Sequence, residues 1–219
     1  MTLLDFARGP ALSTALAVFA FGVLWRLVFL VLLPRVRDRS APRASAPTAF
    51  AGMVRGFARH LWPRATFAGS SMFTTVNGYV MHLGLFIVFF GLAQHMLFLR
   101  GLFGVQWPNL PSGLISAVAV ITLASLGLAL GHRLASPVLR LISTFNDYFS
   151  WLVTTLPIVT GLLAVSHLWA PYETLLAVHL LSVALLLVWF PFGKLMHAFL
   201  VFVTRSQTGV RYSRRGVVT

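Results

Sequence analysis

A chain of 219 residues that is 58% hydrophobic and only 10% charged, with a mean hydropathy of +0.86, lies far outside the range of water-soluble domains, which excludes a soluble enzyme. Seventeen Lys and Arg against four acids leave a formal charge of +13, but the basic residues flank long apolar runs, so they read as topological and nucleic acid is not the expected partner. The chain has no cysteine, which excludes disulfides, a self-contained iron–sulfur cluster and thioether-attached haem.

An apolar helix needs about 20 residues to cross a hydrocarbon core of about 30 Å. Five windows of that kind are expected to span, and the first is Ala11–Leu33. Asp5 offsets Arg8 before it, and its apolar run is too long for a signal-peptide core, so it is expected to be retained. Residues 34–69 read as a cytoplasmic segment. Its first part, Pro34–Thr48, is a polar linker rich in Pro, Ala, Ser and Arg. Beyond it Phe50, Met53, Val54, Phe57 and Leu61 share one helical face opposite Arg55 and Arg59, and Trp62 closes the segment. That pattern fits an interfacial helix on the cytoplasmic leaflet and equally a basic loop held by anionic lipid; a docking surface for a cytoplasmic partner is compatible with either. The remaining spans are Gly78–Leu99, Gly113–Gly131, Phe149–Trp169 and Glu173–Val203, the last long enough to tilt or protrude, and 204–219 is a basic cytoplasmic tail. The expected fold class is therefore all-α, a polytopic membrane protein with five transmembrane helices in a single domain over 1–219.

Orientation follows from the distribution of Lys and Arg. Fourteen lie in the connections on one side: Arg35, Arg37, Arg39, Arg43, Arg55, Arg59 and Arg64, then Arg133 and Arg140, then Lys194, Arg205, Arg211, Arg214 and Arg215. Only Arg8 and Arg100 belong to the other side, and Arg26 lies inside the first span. The amino terminus is expected outside and the carboxyl terminus in the cytoplasm.

Ionisable side chains inside spans are costly and usually mark a functional site. His82 and His95 lie on the second span and His179 and His197 on the fifth. The two spans run in opposite directions, so His82 matches His197 in depth on the inner side and His95 matches His179 on the outer. Each pair can clamp one iron of a flat macrocycle, which suits haem b held without thioether bonds. Eighteen residues separate His179 from His197, five whole turns and about 27 Å on one helix. Thirteen residues separate His82 from His95, a rotation of about 220° that puts them on different faces unless tilt, a helix irregularity near Gly84 or Gly91, or haems on different sides absorb it. The plainer reading is polar residues hydrogen-bonding between helices. His167 is a candidate for lining a quinone pocket or for simple interfacial placement, and His60 and His132 are expected at solvated or headgroup-facing positions.

At these residues the chain resembles the gamma subunit of respiratory nitrate reductases and its relatives, the membrane cytochromes of complexes with heterodisulfide-reductase-like or sulfite-reduction-associated partners. The resemblance spans nearly the whole chain and rests on five spans, on HLGLFIVFFGLAQH at 82–95, on STFNDY at 143–148 and on FPFGKLMH at 190–197. It implies a bacterial inner-membrane protein with two haems b between the second and fifth helices, the inner held by His82 and His197 and the outer by His95 and His179. It also implies quinol oxidation near the outer haem and electron delivery to a cytoplasmic iron–sulfur or molybdenum-enzyme subunit.

The surroundings offer further candidates. Arg26, Arg133, Arg140 and Lys194 are placed to meet anionic haem propionates, although Arg26 can equally snorkel and Lys194 can equally face a partner. Arg100 is a quinol-site candidate whose bland alternative is a headgroup anchor; Gly91 leaves room for a flat ring or permits close helix packing. Asp147 is expected to cap the fourth span or pair with Arg140. Two other functions remain open: a haem-free membrane anchor for a peripheral complex, and a small transporter subunit, against which stands the lack of mid-span acids.

Overall fold

Backbone groups in hydrocarbon have no water to bond, so long apolar runs close their hydrogen bonds within helices. The computed structural model describes residues 1–34, 40–59, 61–63 and 65–217, and all regular structure among them is helical. In chain order the helices are α1 (Leu3–Leu32), α2 (Ala49–Arg59), α3 (Ala68–Gly91), α4 (Ala93–Phe103), α5 (Ser112–Ala135), α6 (Pro137–Ile142), α7 (Phe145–Ser166), α8 (Tyr172–Trp189) and α9 (His197–Arg215). Five of them, α1, α3, α5, α7 and α8, are long and apolar enough to cross a membrane. His60, Arg35, Arg37, Arg39 and Arg64 lie outside the described residues.

The first span starts at Leu3 instead of Ala11, because Thr2 and Asp5 form a capping box: the Thr2 hydroxyl accepts the Asp5 N–H at 3.1 Å and the Asp5 carboxylate accepts the Thr2 N–H at 2.9 Å. A π turn at Ala7–Ala11 then accommodates Pro10, which lacks an N–H. In space α5 packs between α3 and α7, and α8 between α7 and α1. Ala119, Leu126 and Ile158 centre the core where α3, α5 and α7 meet. Polar side chains bind these helices to one another: the Asn77 amide donates to the Ser125 carbonyl at 3.0 Å, and the Trp151 indole to the Leu126 carbonyl at 2.8 Å. The outward faces, with Phe21, Trp25, Val120 and Leu128, stay apolar and exposed, as lipid-facing surfaces do.

Two of the expected spans are not continuous helices. The run Gly78–Leu99 breaks at Leu92, whose ψ of 130° is extended, so α3 ends at Gly91 and α4 begins at Ala93. The run Glu173–Val203 breaks after Trp189, around Pro191. Phe192 and Gly193 both donate to the Trp189 carbonyl, at 3.0 and 2.9 Å, and a 3-10 turn at Lys194–Met196 leads into α9. Pro191 is buried against Gly22 of α1, where a Cβ would lie 2.6 Å from the proline ring.

The amphipathic segment does form a helix, α2, but its glycine face packs on α9. Gly52 and Gly56 meet Gly209 closely enough that a Cβ at Gly56 would stand 2.6 Å from the Gly209 Cα. The basic tail is accordingly the second half of α9, tied to the linker by the Arg43 N–H, which donates to the Arg214 carbonyl at 3.1 Å. Phe50 and Val54 of α2 remain exposed.

Candidate functional site

The histidines of α3, α4, α8 and α9 meet in two pairs. The ring centres of His82 and His197 are 5.9 Å apart with planes at 88°, and those of His95 and His179 are 6.2 Å apart with planes at 15°. These are the partners expected from matched depth, although the expected geometry of the helices differs. His179 and His197 do not sit five turns apart on one helix, since Pro191 separates them and His197 opens α9. The break at Leu92 likewise removes the 220° misfit of an unbroken second span and turns His95 toward the helix pair that His82 also faces.

Each ring is anchored through Nδ1. His82 is bonded to the Gly78 carbonyl at 2.7 Å, His197 to the Lys194 carbonyl at 2.8 Å and His95 to the Val88 carbonyl at 3.2 Å. Val88 lies in the last turn of α3, where carbonyls lose their helical partners, so the break supplies the acceptor that holds His95. A carbonyl only accepts, hence these three Nδ1 atoms carry the proton and the lone pair of each neutral ring is on Nε2.

His179 is anchored by a hydroxyl, with Nδ1 3.2 Å from Thr160 Oγ1. Thr160 also lies 2.8 Å from the Leu156 carbonyl and 2.9 Å from Ser182 Oγ, and Ser182 lies 2.7 Å from the His179 carbonyl. Two hydroxyl protons cannot serve all these contacts, and the largest number is satisfied when His179 Nδ1–H donates to Thr160. Gly161 leaves space for this ring: a Cβ there would lie 3.2 Å from His179 Cε1.

Two imidazoles bound on opposite sides of one iron by bonds of about 2 Å have ring centres roughly 6 Å apart, the separation found in both pairs. Among the described residues no group of three or more His, Cys, Asp or Glu could hold a metal ion. Each pair thus brings together two imidazoles, a donor set that would fit a haem held between them and not a four-ligand zinc site.

The segments 143–148 and 190–197 pack together beside the inner pair. The Asn146 side-chain oxygen accepts the Lys194 N–H at 2.9 Å, and the Trp189 indole donates to Ser150 Oγ at 3.0 Å. Asp147 caps α7 through Thr144 as expected, but its cationic partners are Lys194 at 2.6 Å and Arg133 at 3.2 Å, not Arg140. Arg140 is exposed on α6. Gly91 is buried against Ile115 and Leu110, so its missing side chain serves helix packing. Arg100 is exposed in the last turn of α4. His167 joins neither pair; it ends α7 in the left-handed region, φ 53°, with its ring 5.2 Å from that of Tyr172. His132 is exposed, its ring 4.8 Å from that of Phe73.

A cavity of about 800 Å³ opens beside His197, lined among others by Arg26, Lys194 and Arg205. Sequence reasoning singled out Arg26 and Lys194 but missed Arg205, which was one basic residue among several in the tail. It also missed Thr160, Ser182 and the structural role of Asn146, none of which has a local signal.

A protein of Nitratidesulfovibrio vulgaris is 33% identical to this chain over 217 residues, covering 98% of this chain and 96% of that protein. No family model and no solved structure matches the chain.

Proposed function

We propose that this chain, which belongs to one family with the Nitratidesulfovibrio vulgaris protein, is a dihaem b-type cytochrome subunit of a multi-subunit oxidoreductase in a bacterial inner membrane. It exchanges electrons between membrane quinol and a cytoplasmic iron–sulfur or molybdenum-enzyme partner. The observation that carries this reading is the two pairs of imidazoles with ring centres 5.9 and 6.2 Å apart, each ring held through Nδ1.

Bound haem iron supplies one-electron carriage. The chain's own residues do the rest. His82 with His197 and His95 with His179 would hold the two haems, and the Nδ1 bonds fix their tautomer and raise their basicity as ligands. Lys194, Arg133 and Asp147 lock the break that delivers His197. Arg26, Arg133, Lys194, Arg205 and Arg214 gather at the end of the bundle bearing α9, which supports that end as cytoplasmic. His95 and His179 then lie on the outer side, where Arg100 is the candidate for orienting a quinol ring.

A dithionite-reduced minus oxidised spectrum of the purified protein, with a pyridine haemochrome assay, tests the reading. Two haems b per chain are expected, falling to one in His197→Ala. A folded protein without haem would overturn it in favour of a membrane anchor.

A further inference from the structure

The cavity beside His197 lies between α1 and the start of α9, and its lining includes Arg26, Lys194, His197, Thr204, Arg205 and Thr208. Its three cations are not equivalent. The Lys194 ammonium is matched by Asp147 at 2.6 Å, whereas Arg26 and Arg205 make no ion pair with any described residue. The chain has few acids to offer them. Asp147 is committed to Lys194 and Arg133, Asp5 and Glu173 sit in the first turns of α1 and α8 at the opposite end of the bundle, and Asp38 lies outside the described residues. Arg26 is also inside a span, where a guanidinium is expensive without a partner. Two arginines on one cavity repel each other unless an anion sits between them.

We propose that this cavity is an anion site in which Arg26 and Arg205 together hold a carboxylate or phosphate group at the membrane boundary. Guanidinium forks match both groups bidentately, and the hydroxyls of Thr204 and Thr208 border the same space. The group has two possible sources of the same chemistry. One is the carboxylates of a haem held by His82 and His197, which rests on the dihaem reading; the other is the phosphate of a lipid headgroup, which does not.

The variants Arg26→Gln, Arg205→Gln and the double substitution, in the full chain purified with its native lipid, separate these sources. A guanidinium beside haem disfavours the ferric state. If haem carboxylates fill the site, each substitution lowers the midpoint potential of the haem that His197→Ala abolishes, the double lowers it furthest, and bound phosphate is unchanged. If lipid fills it, the double variant loses about one co-purifying phospholipid phosphate per chain while both potentials stay fixed. That second result is available even if the wild type carries no haem. The paired Arg26→Lys and Arg205→Lys variants, which keep the charge, should retain most of whichever signal is lost, and they separate loss of the site from misfolding. Unchanged potentials and unchanged phosphate in a folded double variant would overturn the proposal.

Discussion

Three of the four paired histidines take their tautomer from a backbone carbonyl, which no substitution can remove without moving the chain; His179 takes it from Thr160, which can be changed alone. Thr160→Val keeps the volume of the side chain but removes the hydroxyl that anchors Nδ1 of His179. Loss of such a supporting bond typically weakens metal binding about 10–100-fold. If the His95–His179 pair holds haem as proposed, that haem should therefore be partly lost on purification and its potential shifted, with Thr160→Ser close to wild type and any haem held by His82 and His197 unaffected. Equal haem content and equal potentials in Thr160→Val would show that the hydroxyl only bonds its own helix. This residue illustrates what the sequence withholds. Histidines stand out because a titratable group inside an apolar run is costly, and matched depth then pairs them. A threonine in such a run is ordinary, since its hydroxyl can bond the carbonyl four residues back, as Thr160 does to Leu156. Its second contact depends on a helix face 19 residues away.

Helix breaks decide how the pairs are presented, and here the sequence was only half legible. A proline within an apolar run marks a helix break, as at Pro191, but the direction in which α9 leaves depends on Asn146, Asp147 and Gly22, contributed by distant helices. The break at Leu92 has no proline at all; it accompanies the carbonyls of Phe90 and Gly91 turning to the Trp107 indole at 2.7 Å and the Leu110 N–H at 2.8 Å. The consequence is that the two pairs differ in ring alignment, 15° for His95 with His179 and 88° for His82 with His197. Parallel rings donate into the same iron d orbital and separate it from its twin; perpendicular rings treat the two alike and leave them nearly degenerate. If both pairs hold haem as proposed, electron paramagnetic resonance of the oxidised protein should then contain two low-spin species, a rhombic one lost in His95→Ala and a strongly anisotropic one lost in His197→Ala. Two identical rhombic signals would contradict the perpendicular inner pair.

For the molecule as a whole, the odd number of spans and the clustering of charge make one connected argument. Five spans put the loop before α5 and the carboxyl terminus at opposite ends of the bundle. The clasp of α2 on α9 concentrates arginines at one of those ends, including Arg43, Arg205 and Arg214. Translocating such a cluster is unfavourable, so that end should stay in the cytoplasm. The natural chain has no cysteine, so single introduced thiols report without background. Asn109→Cys lies in the exposed loop before α5, and Val217→Cys lies just beyond α9, where Val217 is 46% exposed. In right-side-out membrane vesicles a membrane-impermeant maleimide should label Asn109→Cys directly and Val217→Cys only after permeabilisation. The opposite pattern would put His82 and His197 on the outer side and overturn the proposed delivery of electrons to a cytoplasmic partner. Labelling of both sites without permeabilisation would mean that one of the five apolar helices does not span.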